Sequence, residues 1–424
     1  MALAQWAPMI PEISNRGHNM PASPIRKLSP LAEAAKERGL TVYHLNIGQP
    51  DLETPEAIRQ ELSRIDEKVL CYSPSSGTPE FLTWVRDYYS AAGFPITARD
   101  VIATTGGSEA ILFAMMACAD EGEEILVVEP FYTNYAAFAA MAGLRLVPVT
   151  SRGRDGFHLP PPPVWERALT PETRMVLLCN PNNPTGTVYT REELLQVADF
   201  CRRHDLFLIS DEVYREFVYD GRAALSALGL EGYEDLVIVV DSLSKRFSAC
   251  GIRLGNLVSR NHEIVDACLR MAQARLSAPG LAQRIALGAR NIPPDYTSGV
   301  IAEYQKRRDI LYQGLREMPG VFLTQPEGAF YCVARMPVRD SEDFAEWLLR
   351  DFQHEGATVM VAPAAGFYAT PGLGANEVRI AYVLAEESLR KALEALRHGL
   401  AEYRRLRGYG EHEFFEPPSA AHRA

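Results

Sequence analysis

Lys245 and Arg253 stand eight residues apart in the stretch VVDSLSKRFSACGIRLGNLVS, residues 239–259. An apolar run leads into Lys245, which we place at the end of a predicted strand. Buried lysines are rare unless they have a task, and a lysine in apolar surroundings is a nucleophile that forms Schiff bases with carbonyl compounds. The planar guanidinium of Arg253 suits a phosphate or a carboxylate. The pair predicts chemistry on a carbonyl compound beside an anion site, with a plain surface lysine as the alternative.

A glycine-rich turn, GGSEA at residues 106–110, follows the predicted strand VIATT. Its glycines allow a close approach of the backbone, and we expect Ser108 to open a helix. The free N–H groups at the start of a helix bind phosphate readily. The turn matches neither GxxxxGK[ST] nor GxGxxG. A phosphate cradle is therefore one interpretation, and an ordinary strand–helix turn capped by serine is the other.

Aromatic, amide and acidic side chains follow three further predicted strands. Tyr132 and Tyr135, in PFYTNY, either stack on a flat ring or pack in the core. Asn183 lies in the constrained turn NPNNPTG, where its amide can be held for hydrogen bonding. Asp211 ends an apolar strand three residues before Tyr214, so it is paired, coordinated or a helix N-cap. A phosphate cradle, a stacking ring, an acid, a phenol and a lysine are together what pyridoxal phosphate needs.

Strand ends must meet for these residues to act together. Apolar strands alternate with amphipathic helices from about residue 55 to residue 300, which predicts an α/β fold with a mostly parallel sheet. Such sheets bind ligands at the carboxyl ends of their strands. The later part of the chain predicts a smaller α+β domain. We predict an N-terminal arm at 1–20, a small domain at 21–54 and 299–408, a large cofactor-binding domain at 55–298 and a loose tail at 409–424.

Composition argues against several classes of protein. The 424 residues include 54 acidic and 43 basic side chains, and the net charge of -11 argues against a nucleic-acid or membrane-surface partner. The longest apolar run, AILFAMMACA, is shorter than the roughly 20 residues of a membrane span, and residues 1–21 lack a signal-peptide pattern. The seven cysteines are scattered and the nine histidines form no HxxxH pair. We therefore expect no metal site and a cytoplasmic location.

Nine motifs along roughly residues 20–405 resemble, in order, those of the class I/II aminotransferases of fold type I. The resemblance implies a large domain with a mostly parallel sheet between helices, and a smaller α+β domain. It implies a transaminase of amino acid metabolism that uses pyridoxal 5'-phosphate and moves an amino group from an L-amino acid to a 2-oxo acid by a ping-pong mechanism. The motifs are IGQPD, YSPSSGTPE, TTGGSEA, PFYTNY, NPNNPTG, SDEVY, SLSKRFSACGIRLG, PEGAFY and VRIAY.

The same resemblance implies roles for individual residues. Lys245 corresponds to the lysine that holds the cofactor and moves the substrate proton. Asp211 corresponds to the acid that pairs with the ring nitrogen, and Tyr214 to the phenol that binds the ring oxygen with help from Asn183. Tyr132 corresponds to the aromatic residue that stacks on the ring. The residues that correspond to phosphate ligands are Gly107, Ser108, Ser242 and Arg253, with the backbone of Glu109.

Substrate binding and assembly are implied in the same way. Arg379 corresponds to the arginine that binds the α-carboxylate as a bidentate pair, assisted by the backbone of Gly48 and the amide of Asn183. Its place between apolar residues of VRIAY argues against a surface salt bridge. Tyr72 corresponds to a tyrosine that reaches the phosphate of the neighbouring subunit. That role predicts a homodimer with shared active sites.

The side chain of the substrate is less determined. One subgroup of the family binds a distal carboxylate with a lysine on the helix after the phosphate turn, but here that helix, SEAILFAMMACAD, contains no Lys or Arg. Arg26 and Lys27 are candidate substitutes, with solvated surface charge as the alternative, and Cys250 is interpreted as a packing residue. We expect aspartate and 2-oxoglutarate as the substrates, while aromatic, other neutral and specialised biosynthetic substrates remain open.

Two rival functions share the motifs. The first is a lyase or cyclising enzyme on the same scaffold, which would expel a leaving group instead of storing an amino group. The second is a non-catalytic sensor that binds pyridoxal phosphate. Sensors of this kind carry a fused DNA-binding segment, and the acidic charge and the short N-terminal segment argue against one here.

Overall fold

The computed structural model describes residues 11–410 of the chain. The first ten residues of the predicted arm, and residues 411–424 of the predicted tail, lie outside this part. The strands are β1 Thr41–His44, β2 Val101–Thr104, β3 Glu124–Glu129, β4 Arg145–Thr150, β5 Thr173–Cys179, β6 Phe207–Asp211, β7 Val237–Ser242, β8 Gly255–Val258, β9 Tyr331–Arg335, β10 Ala357–Met360, β11 Ala362–Pro363 and β12 Glu377–Ala381.

Helices alternate with these strands, and local capping sets several of their starts. The Thr190 side chain accepts from the backbone N–H of Glu193 at 3.2 Å while Glu193 binds the Thr190 N–H, a capping box that starts α8. The α-helices are α1 Asn15–His18, α2 Ser29–Glu37, α3 Glu56–Leu62, α4 Pro79–Ala91, α5 Gly106–Cys118, α6 Asn134–Ala142, α7 Pro162–Ala168, α8 Arg191–Arg203, α9 Leu243–Arg246, α10 His262–Ala274, α11 Gly280–Ala286, α12 Tyr296–Arg316, α13 Ser341–Arg350 and α14 Glu386–Arg407.

Seven strands form the central sheet in the order β2-β8-β7-β6-β5-β3-β4. Only β8 runs against its neighbours, so the predicted mostly parallel sheet is confirmed. Every residue of β2, β3 and β7 is buried, because helices cover both faces of the sheet. The sequence did not reveal β8, which has four residues and directly follows the turn at Arg253.

The carboxyl ends of the parallel strands meet at one edge of this sheet. The register pairs Cys179 with Asp211 and Asp211 with Val240, so the ends of β5, β6 and β7 lie side by side. The polar residues that follow these strands are therefore brought together. This edge is where open α/β sheets bind ligands.

Two smaller sheets come from the rest of the chain. Strand β1 pairs with β10, and a three-stranded antiparallel sheet has the order β11-β12-β9. These sheets contain only residues before 55 and after 298, and one hydrophobic core joins them to the central sheet, with Tyr214 packed edge-on against Phe330. The domain boundaries themselves stay a prediction. No helix within residues 11–410 is long and apolar enough to cross a bilayer.

Candidate active site

A cavity of about 680 Å³ lies at the carboxyl ends of the central strands. Its wall combines residues from the central sheet with residues from β9, β12 and the segment before α2. All the predicted site residues line it except Glu109 and Tyr72. Those that do are Gly48, Gly107, Ser108, Tyr132, Asn183, Asp211, Tyr214, Ser242, Lys245, Arg253 and Arg379.

Lys245 lies in a helical turn rather than at a strand end, which corrects the sequence expectation. Strand β7 ends at Ser242, whose hydroxyl accepts from the N–H of Ser244 at 3.2 Å and so starts α9. The Lys245 Nζ donates to the carbonyl oxygen of Gly48 at 3.0 Å. It also lies 3.9 Å from the Cys250 Sγ, and Cys250 lines the cavity. The cysteine therefore contacts the candidate amine in addition to packing.

Asp211 ends β6, as predicted, and lies buried at the cavity wall. Its carboxylate accepts from the Tyr135 hydroxyl at 2.6 Å and from the Val213 N–H at 3.3 Å. Burial raises the pKa of Asp211 to about 6, and these two hydrogen bonds and the charge of Lys245 oppose that rise. A turn follows Asp211 instead of an α-helix, so the N-cap interpretation is wrong.

The hydroxyl groups of two tyrosines that line the cavity contact each other. The hydroxyls of Tyr214 and Tyr331 lie 2.9 Å apart, and Tyr331 Oη lies 3.5 Å from the Gly48 carbonyl. Burial raises the pKa of Tyr214 well above its ordinary value, and that of Tyr132 to about 12. Tyr214 and Tyr132 are therefore neutral near pH 7. Tyr331 closes the motif PEGAFY but was not among the residues predicted to form the site.

Arg379 is a buried cation whose hydrogen-bond partners are neutral. Its Nη1 donates to the Asn183 Oδ1 at 3.2 Å, and its Nη2 donates to the Asn46 carbonyl. The guanidinium lies 4.6 Å from the centre of the Tyr331 ring and 5.0 Å from that of Phe367. Burial lowers its pKa, and its Nε has no hydrogen-bond partner among the described residues. An anionic ligand would compensate this charge.

The residues of the predicted phosphate cradle lie around the start of α5. This helix begins at Gly106, two residues before the expected Ser108. A side chain at Gly106 would place its Cβ 2.6 Å from the Arg253 Nη2, so only glycine lets the guanidinium approach the helix start. Gly107 and Ser108 of the first turn line the cavity together with Ser242 and Arg253. An anion is favoured there.

Two predicted residues lie away from the cavity. The Glu109 carboxylate accepts from the Thr105 N–H at 2.8 Å and pairs with Arg275 at 3.1 Å, so only its backbone could serve a ligand. Tyr72 is 80% exposed and does not line the cavity of its own chain. Its predicted role concerns a neighbouring subunit.

The two candidate cations before α2 are separated by the fold. Arg26 lines the cavity beside Ser23 and Ile25. Lys27 is instead paired with Glu342 at the start of α13 and does not line the cavity. Both residues are exposed, so what distinguishes Arg26 from Lys27 is its position at the cavity lining.

His354, Glu394 and His398 form a cluster remote from the cavity lining. Their potential metal ligands lie within 4.8 Å of one another, although the sequence predicted no metal site. The two imidazole rings stack with centres 4.0 Å apart, and the His398 Nε2 lies 3.1 Å from the Arg397 guanidinium. A guanidinium at that distance opposes a second cation. We assign no metal to this cluster.

Comparison with known proteins places this geometry in a family. The profile described as aminotransferase class I and II matches residues 41–396. The chain belongs to the class I and II aminotransferase family. The resemblance drawn from the nine motifs, the fold class and the transaminase activity are thereby confirmed. This family uses pyridoxal phosphate.

The relatives of this aminotransferase differ in their named substrates. It is 31% identical to aromatic-amino-acid aminotransferase 2 of Thermococcus litoralis, over 92% of this chain and 98% of the relative. It is 30% identical to an aspartate aminotransferase of Rhizobium meliloti, over 90% and 95%. Its fold matches the aspartate aminotransferase of Thermus thermophilus with maleate at a TM-score of 0.83, with 29% identity, over 92% of this chain and 100% of that chain. The lyase and sensor alternatives are not favoured.

Proposed function

We propose that this aminotransferase holds pyridoxal phosphate in the cavity and acts on dicarboxylic substrates, with aspartate as amino donor and 2-oxoglutarate as acceptor. The observation that carries the proposal is one cavity wall shared by a lysine amine, a buried carboxylate and a buried arginine with neutral partners. These groups are Lys245, Asp211 and Arg379.

The residues present fit the cofactor. A buried acid with a pKa near 6 suits a protonated ring nitrogen, and the glycine cradle beside Arg253 suits a phosphate. When bound, pyridoxal phosphate supplies an electron sink for the negative charge left on the substrate Cα. The residues that would hold it are Gly107, Ser108, Ser242 and Arg253 with the backbone of Glu109 at the phosphate, Asp211 at the ring nitrogen, Tyr214 and Asn183 at the ring oxygen, Tyr132 on the ring face and Lys245 at the carbonyl carbon.

Lys245 and Arg379 act on different groups of the substrate. The Arg379 fork binds the α-carboxylate, and because Asn183 holds the guanidinium, the position of the substrate Cα is fixed as well. The amine of Lys245 takes the proton from that Cα as a general base. Every amino acid and every 2-oxo acid carries the same α-carboxylate, so both halves of a ping-pong reaction use one binding site.

Arg26 supports a substrate with a second carboxylate. Three of the cations that line the cavity already have a proposed role. Lys245 transfers the proton, Arg253 binds the phosphate and Arg379 binds the α-carboxylate. Arg26 remains, and it forms no ion pair with the rest of residues 11–410. The Thermus thermophilus relative was solved with maleate, which is a dicarboxylate.

A homodimer follows from Tyr72 in this proposal. The side chain is 80% exposed in the single chain, next to Leu70 at 63% and Val69 at 72%. An exposed apolar stretch of this kind suits a surface that a second copy covers. We infer that Tyr72 reaches the cavity of the partner subunit. Light scattering of the purified protein tests the dimer, and a monomer with full activity would overturn it.

The absorbance spectrum of the protein with pyridoxal phosphate tests the function directly. Single L-amino acids are added without any 2-oxo acid, and the Lys245→Ala variant is the control that cannot hold the cofactor covalently. We expect aspartate and glutamate to convert the spectrum of the wild type to that of the amino form of the cofactor. Conversion by aromatic or neutral amino acids alone would overturn the substrate, and release of ammonia with an unchanged spectrum would favour the lyase.

The Arg26→Met variant separates the distal carboxylate from the rest of the site. A lost charge-assisted hydrogen bond costs about 1.5–3 kcal/mol, so we expect kcat/KM for aspartate to fall about 10- to 100-fold. The matched substrate is phenylalanine, which has no distal carboxylate and should be unaffected. Equal losses for both substrates would remove Arg26 from specificity.

A further inference from the structure

Five charged side chains form a buried cluster that does not line the cavity. Four of them are at most 3% exposed and the fifth, Glu216, is 14% exposed. Burying charges is costly unless they are paired with good geometry. The members of this charge cluster are Glu212, Arg215, Glu216, Asp241 and Arg246.

Arg246 connects two of the acids. Its Nη2 donates to the Asp241 Oδ2 at 2.6 Å, and its Nε lies 3.1 Å from the Glu216 Oε1. The guanidinium also lies 4.1 Å from the centre of the Tyr88 ring on α4. Arg246 therefore fastens α9 to β7, to the turn after β6 and to α4 at the same time.

Arg215 makes the parallel connection. Its Nη2 donates to the Glu216 Oε1 at 3.2 Å and to the Tyr88 hydroxyl, and its Nη1 lies 3.8 Å from the Glu212 Oε2. Its guanidinium lies 4.6 Å from the centre of the Tyr89 ring. Glu216 thus accepts a hydrogen bond from Arg215 and forms an ion pair with Arg246, and so joins the two halves of the charge cluster.

The remaining acids bind backbone groups. Asp241 accepts from the N–H of Ser242 at 2.6 Å, and Glu212 accepts from the N–H of Ala227 at 2.8 Å. Burial raises the pKa of Glu212 to about 7 and also raises that of Glu216. The total negative charge of the three acids near pH 7 is therefore less than three. It is closer to the total positive charge of the two arginines.

Members of the charge cluster are sequence neighbours of candidate site residues. Glu212 follows Asp211, Arg215 follows Tyr214, Arg246 follows Lys245 and Asp241 precedes Ser242. In each of these four pairs one residue lines the cavity and its neighbour belongs to the charge cluster. For Asp241 and Ser242, which end β7, this follows from the alternation of side chains along a strand.

We propose that the charge cluster positions the catalytic amine, with Arg246 holding the helical turn that carries Lys245 through its pairs with Asp241 and Glu216. Arg246 does not line the cavity, so it is a positioning residue. The inference rests on the proposed role of Lys245. A helix of four residues such as α9 is not stable by itself, so its orientation depends on contacts with neighbouring elements.

The Arg246→Lys variant of the full chain, loaded with pyridoxal phosphate, tests this role. Lysine keeps the charge but cannot bridge Asp241 and Glu216 with one planar fork. A misplacement of about 1 Å can cost about 100-fold in rate, so we expect kcat with aspartate to fall at least about 10-fold with KM within about two-fold. We also expect a shifted pH midpoint of the visible absorbance of the bound cofactor. Glu216→Gln, at the most exposed member, is the milder second variant with the same expected direction.

Arg308→Lys is the matched control. Arg308 is 1% exposed and pairs with Asp220 and Asp309 at 2.7 Å, and none of these residues lines the cavity. We expect this control to lower Tm while kcat and the pH midpoint stay at wild-type values. If Arg246→Lys and Glu216→Gln behave like this control, the charge cluster is only structural and the proposal is wrong. A wild-type spectrum identical to that of Lys245→Ala would instead overturn the proposed function, and the positioning role with it.

Discussion

The Tyr135 hydroxyl donates a hydrogen bond of 2.6 Å to the Oδ2 of Asp211, and both side chains are buried. Burial disfavours the ionised carboxylate, whereas this hydrogen bond favours it. These two opposing effects contribute to a pKa of about 6 for Asp211. Of the groups that lower the pKa of Asp211, Tyr135 has the largest effect.

Tyr135→Phe should shift the pH dependence of cofactor binding. Losing a hydrogen bond to a charged group costs about 1.5–3 kcal/mol, so the pKa of Asp211 should rise further above its ordinary value, by about one to two units. The affinity for pyridoxal phosphate, measured by fluorescence between pH 5 and pH 9, should then reach its plateau at a higher pH. Tyr132→Phe is the control, since the Tyr132 hydroxyl accepts from the Asn134 Nδ2 at 2.8 Å, whereas it is the Tyr135 hydroxyl that donates to Asp211. An unchanged midpoint in Tyr135→Phe would contradict the assignment.

Asp211→Asn should stabilise the cofactor-free protein above pH 6. The folded-state pKa of about 6 lies above the ordinary 3.8, so between these values the unfolded state ionises first and folding loses stability as the pH rises. The asparagine avoids this loss, which is on the order of 2–3 kcal/mol. Urea unfolding at pH 4 and pH 7.5 measures the difference, and it should vanish at the lower pH. A variant less stable than the wild type at pH 7.5 would show that the ionised, buried carboxylate does not destabilise the folded protein.

Arg379→Ala should lower kcat/KM for every substrate to a similar degree. The variant leaves an α-carboxylate without its partner, and such losses cost about 2–5 kcal/mol. We expect kcat/KM to fall about 100- to 1000-fold, mostly through KM, for aspartate, phenylalanine and 2-oxoglutarate alike. Steady-state kinetics with each substrate gives the comparison. A loss confined to one of them would mean that Arg379 binds a side chain.

His158 should stabilise the fold in a limited pH window. Glu193 and Glu327 each bind it, and their hydrogen bonds raise the pKa of His158 to about 10 from 6.5. A raised histidine pKa gives stability that is fully present below 6.5 and is lost as the pH rises through 10. His158→Gln should therefore lower Tm most near pH 6, where both acids are ionised. Thermal unfolding at pH 6, 8 and 10 should show the two proteins converging, and a constant gap would exclude the linkage.

Much of the candidate site could be predicted from local sequence. Lys245, Asp211 and Asn183 each follow an apolar strand closely, and a parallel sheet places such ends at one edge. Continuous apolar strands require cover on both faces, so the sheet type followed from composition within each strand. The glycines at residues 106 and 107 likewise predicted a close approach to the backbone, but only the structure shows that Arg253 is the group that approaches Gly106. The roles of these residues toward a ligand stay predictions.

Contacts between distant parts of the chain were decided only by the tertiary structure. The hydroxyl pair of Tyr214 and Tyr331 joins residues 117 positions apart, and the bond from Tyr135 to Asp211 joins residues 76 apart. Arg26 lines the cavity whereas the adjacent Lys27 binds Glu342, although both are basic residues of one short segment. The sequence by itself determined which chemical groups stand at the strand ends, because strand periodicity and turn composition are local. Which groups touch depends on strand register and on packing between separate sheets, and neither is contained in any local stretch of residues.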